Sequence, residues 1–202
     1  LTSAINQLPG SLQVEVKNMD VYKVKLEIIQ QLQQQASDID YANDVRNLIN
    51  ELPKEVTLEH EEKIKKARAA YDQLNKDQQQ LIGLEYVKLT TLENQLSTLL
   101  KDQQIEQIKA QISALPTIAK LTLNDKEAIL QAYDAYLALP YDQKQAIDSR
   151  QLNRAVAALI ELQIAALPAT VTEADKPALN EIRYLYNEAD YSIQSLLTNY
   201  NK

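Results

Sequence analysis

Residues 49–84 read INELPKEVTLEHEEKIKKARAAYDQLNKDQQQLIGL. The stretch opens with Ile49-x-x-Leu52-Pro53, and the proline closes whatever helix precedes it. Thr57 then stands before Leu-Glu-His-Glu-Glu, where its hydroxyl can cap free backbone N–H groups and the acids suit the positive end of a helix dipole. Tyr71 follows fourteen residues after Thr57, and Asp77 opens a short second helix six residues later. Gly83 follows that short helix in the position of a left-handed C-cap. The stretch therefore predicts a first helix, a short second helix and then a long third one.

The same phrases recur along the chain. Ile-x-x-Leu-Pro occurs at Ile5–Pro9, Ile49–Pro53, Ile112–Pro116 and Ile164–Pro168, which takes four of the six prolines and marks a degenerate repeat array. Thr122 and Thr172 repeat the Thr57 start, and Asp125 and Asp175 three residues later suggest capping boxes. Pro177 lies too deep for a helix beginning at Thr172, so that helix is expected to start near Asp175. Tyr136 and Tyr186 repeat Tyr71, while Asp142 and Ser192 repeat Asp77. The first unit departs from this pattern, with one long helix expected from Asn18 to Ala36. Unit boundaries are placed at 1–52, 53–115, 116–167 and 168–202, the last a partial unit.

The third helix carries two apolar stripes. Leu89, Leu92, Leu96 and Leu99 keep a heptad spacing, as do Ile105, Ile108, Ile112 and Leu115, but the phase slips between Leu99 and Ile105. Residues 85–115 as one helix would therefore point two stripes in different directions. The following junction repeats this with Leu152, Val156 and Leu159, then Ile160, Ile164 and Leu167. One long helix closing one bundle and opening the next accounts for both. The expected fold is all-α: tandem small three-helix bundles joined by long shared helices, an elongated rod.

Composition narrows the function. The 202 residues include two Gly, one His and no Cys, Trp or Phe, with a net charge of −7. Two glycines do not supply the phosphate loops of a typical α/β enzyme, and no cysteine means no thiolate site or disulfide. No cofactor is implied. The acidic balance argues against nucleic acid, since Lys63, Lys65, Lys66 and Arg68 interleave with Glu59, Glu61 and Glu62. No run of about 18 apolar residues predicts membrane insertion. A chain beginning at Leu1 is expected to derive from a longer polypeptide, starting in the last turns of one unit's long helix.

Few residues suggest chemistry. His60 has no second His for a zinc motif and reads as a solvated first-turn residue. Asp38, Asp40 and Asp44 could hold Ca²⁺ weakly, but they lack the Gly and terminal Glu of an EF-hand and read as a helix N-terminus. The pairs Glu61 with Glu62 and Glu173 with Asp175 lack the cleft that acid–base work needs. Tyr71, Tyr136 and Tyr186 are read as core, with Tyr136→Ala costing about 3 kcal/mol or more. Tyr133, Tyr141, Tyr184 and Tyr191 lie outside that register and are read as exposed, a candidate platform for a glycan or protein partner.

The sequence from Ile49 to Leu84, with its later copies Leu121–Ile147 and Val171–Tyr186, resembles the helical repeats of secreted surface proteins of Gram-positive bacteria, including S-layer-type proteins. The likeness covers about residues 49–198 and lies in the packing and capping pattern. It implies an extracellular, wall-associated setting and a structural, non-enzymatic role as a spacer. The expected partners are neighbouring domains of a longer chain. The alternative is a module that binds a cell-wall polymer or a host protein through an exposed helix face.

Overall fold

The computed structural model describes residue 7 and residues 9–199, apart from the side chains of Val16 and Lys17. Ile5 and Leu8 of the first Ile-x-x-Leu-Pro phrase lie outside the described residues. Among the described residues the chain is all-helical and contains no strand. It divides into two compact units, Leu1–Leu99 and Leu100–Lys202.

The first unit holds α1 (Gly10–Asn50), α2 (Glu61–Asp72), α3 (Lys76–Leu81) and the beginning of α4 (Gly83–Ala114). No Gly or Pro interrupts the sequence between Gly10 and Pro53, so α1 runs for 41 residues. This corrects the reading of Asp38, Asp40 and Asp44 as a helix N-terminus, because all three sit inside α1. Only the last part of α1 is packed. Residues Asn18 to Ala36 are all exposed, and burial begins at Ala42, Val45 and Ile49. Those side chains meet α2 and α3, whose buried residues include Ile64 and Ala67. Leu89, Leu92 and Leu96 of α4 join the buried set of this unit.

Gly83 corrects a second expectation. No described glycine has a positive φ, and Gly83 is the first residue of α4 rather than a left-handed cap. Ile82 ends α3 instead, with φ −124° and ψ 36°, and its fully buried side chain holds the chain as it turns into α4.

The second unit takes Ile105, Ile108 and Ile112 from α4, then α5 (Lys126–Leu137), α6 (Tyr141–Lys144), α7 (Arg150–Ala166), α8 (Lys176–Glu188) and α9 (Tyr191–Gln194). One continuous core runs through it, from Ile105 to Ile193. At the centre is α7, which packs against α5 and also against α8 and α9. Ala155, Val156 and Ala157 are consecutive and all buried, as are Leu159 and Ile160. A helix apolar around so much of its circumference must be covered on more than one side. Fully burying each of its large aliphatic side chains contributes about 1.5–3 kcal/mol.

The helix starts behave as the threonines suggest. Thr57, Thr122 and Thr172 each open a short 3₁₀ turn with a capping box, and α2, α5 and α8 continue from it. Pro177 falls in the first turn of α8, where its missing N–H costs no hydrogen bond. The short helices begin earlier than expected: Asn75, Pro140 and Asp190 are their caps, and Asp77, Asp142 and Ser192 lie one or two residues inside.

Candidate functional site

The tyrosines singled out in the sequence separate into buried, half-buried and exposed classes. Tyr133, expected to be exposed, is 4% exposed and sits in the core of the second unit. Its hydroxyl donates to the Glu188 carbonyl at 3.4 Å, linking α5 to α8. Burial, with help from the nearby Asp190 and Glu188 carboxylates, pushes its phenol up to about 12. The physical reason is helix geometry: Tyr133 and Tyr136 are three residues apart and share a face, with Tyr133 nearer its centre. Tyr71, Tyr136 and Tyr186, expected to be core, are only half-buried. Tyr71 stacks on Tyr86 at 4.8 Å, and Lys144 lies over the Tyr136 ring at 5.7 Å.

Tyr141, Tyr184 and Tyr191 are exposed, at 78%, 64% and 83%. Tyr141 and Tyr191 occupy the same place in successive repeats, the first residue of the short helix. They present rings to solvent from a fixed backbone.

The polar contacts of the first unit form an interlock that the sequence did not announce. Lys88 of α4 donates to the carbonyls of Ile49, Asn50 and Leu52 at 2.9, 3.2 and 3.2 Å. An ammonium there adds a donor to carbonyls at and just past the end of α1 and faces the negative end of its dipole. Arg68 grips both oxygens of Glu93 at 2.6 and 2.5 Å and lies over the rings of Tyr71 and Tyr86 at 5.4 and 5.3 Å. Its guanidinium is held well above its ordinary range, chiefly by the hydrogen bonds to Glu93. Arg46 joins Glu85 at 3.3 Å and the Leu81 carbonyl at 2.7 Å. The only available signal was spacing: Leu52 precedes Lys88 by as many residues as Leu115 precedes Gln151.

Open grooves with ionisable groups occur in both units, and three of them show what those groups do. The first, of about 420 Å³, lies between α1, α2 and α3 and includes Asp38, Tyr41, Asn75 and Gln78. Asp38 accepts from the Gln78 amide at 2.8 Å and the Gln34 amide at 3.2 Å. The second, of about 540 Å³, is lined by Pro116, Ile118, Asp148, Arg150 and Arg154. Arg150 donates to Asp148 through Nε and Nη2, which lowers that carboxyl to about 2. A carboxylate so weakly basic is a poor proton acceptor near neutral pH. The third, of about 360 Å³, contains Lys126 paired with Glu181.

The carboxylate pairs read as possible acids and bases are engaged at helix starts. Lys65 pairs with Glu61 at 2.8 Å and Glu62 at 3.7 Å, and Lys176 with Glu173 at 3.4 Å. Asp175 accepts from the Thr172 N–H at 2.8 Å and its hydroxyl at 2.9 Å, which lowers its pKa. His60, read as merely solvated, closes the first box by accepting the Thr57 N–H at Nδ1, at 3.0 Å. Among the described residues, no group of three or more His, Cys, Asp or Glu is placed to hold a metal ion, and no helix is long and apolar enough to cross a membrane.

Comparison of the chain with protein-family models, with curated proteins and with solved structures gives no match.

Proposed function

We propose that the chain is a non-catalytic structural segment, built of tandem three-helix units that share their long helices and extend as a rod. The observation that carries this reading is α7, buried on the side of α5 and again on the side of α8 and α9. A helix so used fixes the spacing of what stands before and after it, which is the property of a spacer. The two stripes of α4, Leu89, Leu92 and Leu96 and then Ile105, Ile108 and Ile112, fit the same principle. On this reading the unit boundaries fall inside shared helices. The likeness of residues 49–198 to surface-protein repeats makes a Gram-positive cell surface or S-layer the proposed setting, with neighbouring domains as partners.

Small-angle scattering of the purified chain tests the architecture. A rod about 100 Å long or longer has a radius of gyration near ~30 Å. A compact globule of this length gives about 16–17 Å, and a value there overturns the rod. The second reading, a binding module, is favoured by the paired placement of Tyr141 and Tyr191 on short helices of successive repeats. Co-sedimentation with cell-wall sacculi, before and after acid extraction of the non-peptidoglycan polymers, separates the two. Binding lost on extraction, and lost again in a Tyr141→Ala, Tyr184→Ala, Tyr191→Ala variant of unchanged helicity, supports the module. Protein remaining in the supernatant throughout supports the spacer.

A further inference from the structure

The exposed arm of α1 is written in a different code from every other helix of the chain. Residues 12–28 read LQVEVKNMDVYKVKLEI, in which apolar and polar residues alternate on both sides of Asn18-Met19-Asp20. That is the period of a strand, not of a helix. The apolar positions are mostly β-branched, which helices tolerate less well than strands do. As a helix the arm gains little from packing: Leu12, Val14, Tyr22, Val24, Leu26 and Ile28 are between 43% and 70% exposed. Its start is also weak. Pro9 stands at the cap without a side-chain hydrogen bond, and the first turn carries no acid, whereas α2, α5 and α8 all follow capping boxes.

We propose that residues 11–27 have a second fold, an antiparallel β-hairpin that exchanges with the helical arm while α1 persists from about Gln30. Asn18, Met19 and Asp20 form its loop, and one register gathers the apolar residues on one face, with Val21 left opposite Lys17 beside the loop. Val16 stands opposite Tyr22, Val14 opposite Val24 and Leu12 opposite Leu26 on one face. Glu15 stands opposite Lys23 on the other. Cross-strand apolar pairs and opposite charges are the units that stabilise a paired ladder. A three-residue loop is a common hairpin connection, and Asn and Asp are the non-glycine residues that best tolerate its left-handed position. A slip by one residue in either direction would place Leu12, Val14 and Val24 opposite a charged or amide side chain, so these positions favour one register. An isolated two-stranded hairpin is of marginal stability, which makes the arm a two-state element. Its balance responds to whatever covers the apolar face.

The absence of cysteine from the chain allows a clean trap. Two in-register variants, Val14→Cys with Val24→Cys and Glu15→Cys with Lys23→Cys, are made in the full chain. Two crossed controls are Val14→Cys with Lys23→Cys and Glu15→Cys with Val24→Cys. All four are oxidised at low protein concentration with oxidised glutathione, and intramolecular bridges are counted by mass spectrometry. In a helix residues 14 and 24 are about 15 Å apart along the axis, beyond the ~7 Å between Cα atoms that a disulfide spans. Oxidation removes the bridged hairpin from the exchange, so even a minor population accumulates. At least one in-register pair is expected to close about tenfold faster than either control, because only opposed side chains meet. No closure in any variant, or equal closure in all four as in an unstructured arm, overturns the hairpin.

Discussion

The two units place different chemistry at the same positions of one motif. In the first, Arg68 reaches across to Glu93, two charges about a quarter exposed and flanked by aromatic rings. Counting from the helix-start threonines and from the Ile-x-x-Leu-Pro phrases, the second unit has Tyr133 and Val156 at these places, both buried. Lys88, bound to three carbonyls, is matched by Gln151, whose amide reaches only the Leu115 carbonyl at 3.5 Å. Gln78, whose amide donates to Asp38, is matched by Gln143, whose Oε1 is buried without a partner among the described residues. At these positions one backbone plan adds charged and polar links to the apolar core in one unit and mainly further apolar burial in the other. The repeat conserves where side chains meet, and their chemistry is free to vary in pairs.

The largest effect is expected at Tyr133. Tyr133→Ala should cost about 3–5 kcal/mol in urea unfolding of the full chain, as for other large buried aromatics. Tyr136→Ala should cost clearly less, because that ring is half-buried. Equal losses would show that the buried position is not the one that matters. Tyr133 also has a folded pKa raised above its unfolded value. Its contribution is therefore present below the ordinary phenol pKa of 10 and declines as pH rises from 10 towards about 12.

Lys88 comes next. Lys88→Met should cost about 2 kcal/mol, since hydrogen bonds from a charged donor are worth about 1.5–3 and the helix end loses its cap. Gln151→Met should change stability by well under 1 kcal/mol, given its single long contact. If the two substitutions cost the same, the interlock assigned to the first unit is only geometric coincidence. The Arg68–Glu93 pair should show a coupling of about 1 kcal/mol in a double-mutant cycle, discounted for its partial exposure and falling with added salt.

Much of the fold was legible because helices announce themselves by period and by punctuation. The threonine starts, the Leu-Pro ends and the two stripes of α4 all mark features the structure contains. Three misreadings have physical causes. Asp38 and Asp40 resembled a cap, yet no Gly or Pro accompanied them to end a helix, and α1 continues. Gly83 resembled a left-handed cap, yet Ile82 makes the turn. Tyr133 lies outside the register of Tyr71, Tyr136 and Tyr186, which suggested a surface, although its position three residues before Tyr136 puts it on the same apolar face. The candidate site was less legible, because Lys88 and Arg68 act on groups about 36 and 25 residues away. Only packing brings such residues together.

The buried glutamines give a test of opposite sign. In the last repeat the equivalent position is Ile193, which is fully buried. Gln143→Ile should therefore leave stability unchanged or raise it by up to about 1 kcal/mol, because an unpaired buried oxygen is removed. Gln78→Ile should lower it by about 1 kcal/mol, because Asp38 loses its shortest donor and the Asn75 N–H its side-chain acceptor. Losses in both variants would mean that Gln143 is satisfied like Gln78, and the contrast between the units would narrow to the charged links.

The smallest expected effect concerns the helix starts. The Thr57 N–H is taken by an imidazole nitrogen of His60, whereas the Thr172 N–H is taken by the carboxylate of Asp175. The Thr172 N–H and hydroxyl hold Asp175 below the ordinary carboxylate range. A lowered folded pKa means that the box contributes fully above the unfolded value of 3.8 and weakens as pH falls through the lowered one. Asp175→Asn keeps an acceptor oxygen at the same place and removes the titration. Amide exchange at Thr172, corrected for the intrinsic pH dependence of exchange, should lose protection between about pH 4 and the lowered pKa in the parent chain. The Asn variant should hold constant protection across that range. Parallel loss in both would assign the acid sensitivity to another carboxylate, Asp148 beside Arg150 being the nearest rival by the size of its shift.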